Sequence, residues 1–300
     1  MAKAYKYLLV FLLASVILIF TASFSFTDSD LHLVFCNVGQ GDAILIYKGS
    51  SQILIDGGPD NQVLTCLSNH MPFWDRKIEA IALTHPDADH YTGLIEVVRR
   101  YQIESFLWSG VWKQGEGPQT LLNELDQKHI EKILVKTGSK IKLGDIKLNS
   151  LWPTKEYLAG VSRIFTSSQP INQYSLVFDL SFGNFDALLT GDIQPPATDL
   201  LAKEIKSVAD TQAFEVPKVL SEVEVLKVPH HGSKNGLTEK LLDTVNPKLA
   251  VISVGAKNRY GHPSKEVIGM LGSRDIRTLR TDQNGEIEIA TDGFAIRTPK

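Results

Sequence analysis

Four apolar runs in this chain each lead into histidine or aspartate, and this recurrence restricts the fold more than any other feature of the sequence. IEAIALT runs into His85-Pro86-Asp87-Ala88-Asp89-His90, and FDALL into Thr190-Gly191-Asp192. EVLKV runs into Pro229-His230-His231-Gly232-Ser233, and AVISVG is followed by Tyr260-Gly261-His262-Pro263-Ser264. Five of the chain's eight histidines (His85, His90, His230, His231 and His262) fall at these ends. Each of the three later loops contains a glycine, which allows close backbone approach. Titratable groups this dense need a cation or water as partner. Imidazole and carboxylate together suit Zn, Mn or Fe, and positions just past a strand let side chains converge from several directions.

The runs LHLVFCNV, AILIYKG and SQILIDGG, separated by glycine-containing turns, predict three opening strands. A helical segment around 61–69 precedes the strand ending at His85. Helical periodicity then recurs in HYTGLIEVVRRY and PQTLLNELDQKH, on either side of the strand SFLWSG. Strands follow at KILVK, IKLNSLW, YSLVFDL and FDALLTG, then a helix near 196–208. The remainder alternates EVLKV, TEKLLDTV, KLAVISV and SKEVIGML, and closes with the strands IRTLR, GEIEIA and FAIRT. No internal repeat is visible. The order fits an α/β (α+β) protein in which two sheets pack face to face with helices on both outer surfaces.

Residues 1–27 read as a separate segment and 28–300 as the main domain. Lys3 and Lys6 precede a stretch from Tyr7 to Phe26 without charge, long enough to cross a bilayer core of about 30 Å as a helix. Its densest apolar part, Leu8 to Phe20, is followed by small residues and equally fits a cleavable signal peptide. Either reading leaves the lysines on the cytoplasmic side and puts the domain on the extracytoplasmic side, anchored in the cell membrane or secreted. Cys36 and Cys66 lie in different segments without CxxC spacing, which suggests neither a disulfide framework nor a thiolate zinc site. They are expected to pack as small hydrophobes, with one distant disulfide left open for an exported domain. Lys plus Arg total 31 against 34 Asp plus Glu, so nucleic-acid binding would need a local basic patch rather than bulk charge.

HPDADH, the Gly-Asp after a strand, and VPHHGS resemble the metallo-β-lactamase superfamily, and within it the corresponding domain of ComEC-type DNA-internalisation competence proteins. FCNVGQGDAILI with LIDGG, and NQYSLVF with LLTGDI, extend the resemblance over roughly residues 30–300. It implies a four-layer αββα sandwich with a two-metal site at one edge, preceded here by one N-terminal hydrophobic helix. The wider superfamily carries HxHxDH. Here Asp87 stands in for its second histidine, and Asn172 and Ser175 stand where a further histidine precedes the Gly-Asp. His129, in DQKHIEK, reads as an exposed helix end. Position by position, the resemblance assigns His85 and Asp87 to one ion, Asp89 and His90 to the other, and Asp192 as bridge. His230 is expected to complete the set with His231 close enough to assist, because neighbouring residues rarely point the same way from a strand end. The carboxylate-rich set makes Mn²⁺ competitive with Zn²⁺.

Two such ions would activate water and clamp phosphodiester oxygens. The resemblance therefore implies a hydrolase, foremost a nuclease acting on DNA during uptake, with single-stranded DNA as the expected substrate. Asp89 is expected to orient the water or take its proton, and His262, with Ser264 at a helix start, to bind phosphate or protonate the leaving oxygen. Lys234, Lys257 and Arg259 are candidates for neutralising substrate phosphates. Asn37, Asp42 and Asp56, with Asn172 and Ser175, are expected to support the metal loop by hydrogen bonding. Trp74, Trp108, Trp112 and Trp152 could stack bases or simply pack, and GVWKQGEGP is the substrate-facing loop among them. A single hydrophobic segment cannot form a DNA pore, so the expectation is either a separate channel protein as partner or a stand-alone branch with another substrate. The alternatives are an extracellular phosphoesterase for a smaller or surface-polymer diester, and an inactive DNA-binding or assembly module.

Overall fold

The computed structural model describes residues 2–25, 29–159, 164–166, 170–211 and 222–298. Helix α1 (Ala2–Ser25) is followed by β1 (Leu31–Phe35), β2 (Ile44–Lys48), β3 (Ser51–Ile55), α2 (Gln62–His70), β4 (Lys77–Ala82) and α3 (Ala88–Arg100). Next come β5 (Gln102–Trp108), β6 (Trp112–Lys113), α4 (Glu116–Gln127), β7 (Glu131–Leu134), β8 (Lys140–Leu143), β9 (Ile146–Trp152), α5 (Lys155–Leu158) and β10 (Ile164–Phe165). The second half holds β11 (Val177–Phe182), β12 (Phe185–Leu189), α6 (Ala197–Thr211), β13 (Val225–Lys227), α7 (Glu239–Val245) and β14 (Leu249–Ile252). It ends with α8 (Lys265–Gly272), β15 (Arg277–Arg280), α9 (Thr281–Asn284), β16 (Ile287–Thr291) and β17 (Ile296–Arg297).

The strands form two large mixed sheets, ordered β17-β16-β1-β2-β3-β4-β5-β7 and β15-β14-β13-β12-β11-β9-β8, with a small parallel pair β10-β6. Period-two alternation sorts their side chains. Leu31, Leu33 and Phe35 of β1 and Ile44 and Ile46 of β2 meet Phe178 and Leu180 of β11 in the core between the sheets. Val34 and Leu45 point the other way, into the layer shared with α2, α3 and α4. The outer face of the second sheet is covered in the same manner by residues such as Leu201, Leu241, Leu242 and Val267 of α6, α7 and α8. The result is the expected αββα sandwich.

Each sheet has a parallel half: β3-β4-β5-β7 in the first and β12-β13-β14-β15 in the second. Parallel strands need crossovers, which these helices supply. In open α/β sheets, ligand-binding loops lie beyond the carboxyl ends of such strands, and the histidine- and aspartate-bearing loops follow β3, β4, β12 and β13 here.

Two expectations change. The N-terminal helix is present with its described large apolar side chains exposed, Phe11 at 68% for example, but among the described residues no helix is long and apolar enough to cross a membrane. The boundary expected at residues 27 and 28 lies outside the described residues. Cys36 and Cys66, expected to pack as separate small hydrophobes, are joined in a disulfide. The end of β1 and the outer layer helix α2 bring their Cα atoms to 5.7 Å, a proximity that sequence separation conceals.

Candidate metal centre

Strand β4 ends at Ala82, and the chain then places Thr84, His85 and Asp87 before α3 starts at Ala88, with Asp89 and His90 in its first turn. From the second sheet come Asp192, after β12, and His230 and His231, after β13. Asp42 and Asp56, from the loops after β1 and β3, close the floor and are both buried. Backbone approach here is close: a Cβ on Gly41 would sit 2.2 Å from the Asp89 carbonyl oxygen. The amide of Asp42 donates to that same oxygen at 3.2 Å, and the amide of Gly57 donates to His90 O at 2.6 Å.

Three imidazoles converge with their Nδ1 atoms engaged behind them. His90 Nδ1 lies 2.8 Å from Asp56 Oδ2, and His231 Nδ1 lies 2.9 Å from the Ser253 carbonyl. His85 Nδ1 is 3.1 Å from Thr84 Oγ1, which itself donates to Asp56 Oδ2 at 2.7 Å. A proton on each Nδ1 satisfies these contacts and leaves the Nε2 lone pair facing the centre. All three Nε2 atoms are buried and none has a hydrogen-bond partner. Leaving such atoms unsatisfied costs about 1–3 kcal/mol each. A divalent cation would satisfy them together, so this donor set fits a metal.

The facing oxygens are close by. Asp192 Oδ2 is 3.3 Å from Nε2 of both His90 and His231, and Asp89 Oδ2 is 3.5 Å from His231 Nε2. Ligand atoms of His85, His90 and Asp192 lie within 4.8 Å of one another, as do those of Asp89, His90 and His231, and those of Asp42, Asp192 and His231. These buried His/Asp clusters are consistent with a metal site.

Both residues of the His230-His231 pair face Asp192, contrary to the rule that neighbours diverge. Their φ angles are 50° and 54°, so two consecutive left-handed residues turn both rings inward. His231 joins Asp89 and His90, whereas His230 Nε2 stands farther off, 3.9 Å from Asp192 Oδ2 and 3.4 Å from Asn172 Nδ2. Such strain in non-glycine residues is characteristic of functional loops.

Electrostatics accompany this packing. Burial opposes ionisation of Asp192, but His231, His90 and Lys227 outweigh it and hold the carboxyl well below the usual range. Burial likewise opposes charge on Asp89, yet contacts with His231 and His90 bring it down to about 2. His231 resists protonation through burial, but Asp192 and Asp42 push it up to about 10. His262 moves the other way, lowered by burial and by the nearby His231 charge.

Two lysines here were not singled out from the sequence. Lys227, the last residue of β13, is fully buried; it contacts Asp42 and donates to the Gly191 carbonyl at 2.7 Å. Asp42 and Asp192 keep it charged against the cost of burial. Its only sequence signal is a lysine inside an apolar strand. Lys113 of β6 contacts Asp87, whose other oxygen is 3.5 Å from His85 Nε2.

The remaining candidates divide between support of the centre, its rim and the outer surface. Ser175 Oγ accepts from the Asp192 amide at 3.3 Å, and Asp56 accepts from the Thr84 amide at 2.8 Å. Asn37 is exposed, as are Lys234, Lys257 and Arg259, and the Arg259 guanidinium lies over Tyr260. His262 stands at the rim, its ring 5.9 Å from that of His230. The Ser264 hydroxyl caps α8 by accepting from the Val267 amide. His129 is exposed at the end of α4, Trp74 is exposed, Trp152 is buried, and Trp108 and Trp112 pack edge to face.

A family model for the metallo-beta-lactamase superfamily matches residues 36–160. ComE operon protein 3 of Bacillus subtilis (strain 168) is 28% identical over 213 residues, covering 71% of this chain and 24% of that protein. Recombination protein 2 of Haemophilus influenzae is 24% identical over 258 residues, covering 84% of this chain and 28% of that protein. The chain thus spans about a quarter of the length of these curated relatives. Among solved structures, Zn(2+)-bound PqqB from Methylobacterium extorquens shares the fold with a TM-score of 0.52 at 11% identity, over 83% of this chain and 97% of that one. The chain is similar to the metallo-beta-lactamase superfamily over residues 36–160 and is a distant homologue of the ComEC-type competence proteins.

Proposed function

We propose that this chain is a metal-dependent hydrolase of phosphodiester bonds that acts on DNA during its uptake, with single-stranded DNA as substrate. The observation that carries the reading is the set of three buried, unpartnered Nε2 atoms on His85, His90 and His231 facing Asp192. Distant homology to ComEC-type competence proteins supports the DNA context. In this reading Asp89, His90 and His231 would hold one divalent ion, His85 and Asp87 would hold a second with His230 beside them, and Asp192 would contribute to the set. Zn²⁺ and Mn²⁺ suit the donors, and when bound such ions acidify water and stabilise negative charge on phosphoryl oxygens.

The chain's own groups divide the remaining work. Asp89 is the cluster carboxylate most open to solvent, with 33% of its side chain exposed against 3% for Asp192, so it is placed to orient an incoming water and accept its proton. His262, neutral near pH 7 because its pKa is lowered, offers the rim a hydrogen bond to a phosphate or leaving oxygen. Asp56, Ser253 and Thr84 keep the three imidazoles in one orientation and tautomer.

Location is part of the proposal: the domain lies on the extracytoplasmic side of the cell membrane, beside a separate channel protein. The Cys36–Cys66 disulfide supports an oxidising compartment, and the exposed apolar side chains of α1 support contact with lipid. A smaller phosphodiester is the second reading, favoured by the position of Lys234, Lys257 and Arg259 on the surface rather than in the centre.

The test is cleavage of single-stranded DNA by the full chain with added Mn²⁺, Zn²⁺ or Mg²⁺, alongside Asp192→Ala. Metal-dependent cutting that the variant loses supports the nuclease. Hydrolysis of a small chromogenic diester that DNA does not compete away would favour the second reading. Metal binding without hydrolysis of either substrate would point to a non-enzymatic module.

A further inference from the structure

Asp87 is paired with a lysine different from the one, Lys227, that Asp42 and Asp192 share. Lys113 Nζ contacts its Oδ1, and Oδ2 faces His85 Nε2 at 3.5 Å. Asp87 occupies the N-cap of α3, where an aspartate normally accepts from the first helical amides, yet it makes no such bond. Its carboxylate is committed to Lys113 and His85 instead. Asp89, by contrast, faces only imidazoles among these contacts: His231 at 3.5 Å and His90 at 4.0 Å.

Lys113 is held in place by its surroundings. It lies in β6, which pairs with β10 through Trp112 and Lys113 opposite Ile164 and Phe165. The next amide, that of Gln114, donates to Phe165 O at 2.7 Å, and the Trp112 ring packs edge-on against Trp108 at 5.6 Å. With 15% of its side chain exposed, the ammonium is largely withdrawn from solvent, where salt screens it less than a surface charge.

We propose that Lys113 makes the two metal positions unequal. An ion at His85 and Asp87 has to displace the Lys113 ammonium from the Asp87 carboxylate, whereas an ion at Asp89, His90 and His231 has no lysine to displace from Asp89. Two cations on one carboxylate repel each other, so the chain loads in two stages. Lys113 thereby acts as a positioning residue that sets how much metal the centre holds. The inference rests on the reading of this centre as a metal site.

The experiment is a Mn²⁺ titration of the full chain, followed by calorimetry and by metal content after dialysis, for wild type, Lys113→Met, Lys113→Arg and Asp192→Ala. Wild type is expected to bind one ion tightly and a second at least about tenfold more weakly. Lys113→Met should tighten the second step about tenfold, while Lys113→Arg, which keeps the charge, retains the wild-type separation. Two equally tight ions in wild type, or a second step that Lys113→Met leaves unchanged, would overturn the proposal. Wild-type uptake by Asp192→Ala would overturn the metal reading itself, and this inference with it.

Discussion

Lys227 and Asp192 split one carboxylate between two tasks: Oδ1 lies 3.4 Å from the buried ammonium, while Oδ2 lies 3.3 Å from the Nε2 atoms of His90 and His231. Because Lys227 also holds Asp42, Lys227→Met strips two buried carboxylates of their cation. Breaking a buried pair in this way costs roughly 3–5 kcal/mol. Urea unfolding should show a loss of that order, partly recovered when Asp42→Asn is added. A loss below about 1 kcal/mol would mean that the ammonium contributes little to holding the two carboxylates.

Asp56 orients His90 without facing the centre itself. Asp56→Asn keeps a group able to accept from the Thr84 amide but removes the negative partner of His90 Nδ1. Changes of this kind typically weaken metal affinity about 10–100-fold with the fold intact. Zn²⁺ competition against a chromogenic chelator reads this directly, and an unchanged affinity would remove Asp56 from the support of the centre.

The pKa directions fix how the metal-free protein responds to pH. His231, raised from 6.5 to about 10, contributes stability that is full below 6.5 and lost as pH rises through 10. Asp89, lowered from 3.8 to about 2, contributes stability that is present above 3.8 and lost as pH falls through 2. For these two groups the metal-free chain is most stable between those windows, near pH 4 to 6.5. A metal must displace the His231 proton, so its affinity and the stability it adds should both grow from about pH 6 to pH 9. Thermal unfolding with and without a chelator across that range is the check, and a metal-induced gain that shrinks with rising pH would contradict it.

The disulfide closes a loop with a sequence separation of 30. Constraining the unfolded chain over that length is worth about 3–4 kcal/mol. Cys36→Ala/Cys66→Ala should lose stability of that order at equilibrium, and wild type should lose a similar amount when a reductant is added. If reductant shifts wild type and the double variant equally, the bridge is not the cause.

The sandwich was legible because its strands carry clear alternation and its helices clear apolar faces, as in β1 and α3. The loops that carry the centre were legible because titratable residues followed those strands. Short elements such as β6 and β10, two residues each, are too brief to show any period, so the setting of Lys113 was hidden. Lys227 stayed hidden because lysine after an apolar run normally marks a surface. The inward turn of both His230 and His231 depends on positive φ angles that residue type alone does not reveal. Lys234, Lys257 and Arg259 were close to the centre in sequence but are exposed in space.

The centre draws Asp42, Asp56, His85 and His90 from one sheet and Asp192, Lys227 and His231 from the other. Any sliding of one sheet across the other would separate these donors before the apolar interior opened to water. A cation bound there would be gripped from both sides and would act as a rivet through the sandwich. Neither half of the chain, folded alone, could reconstitute the grip.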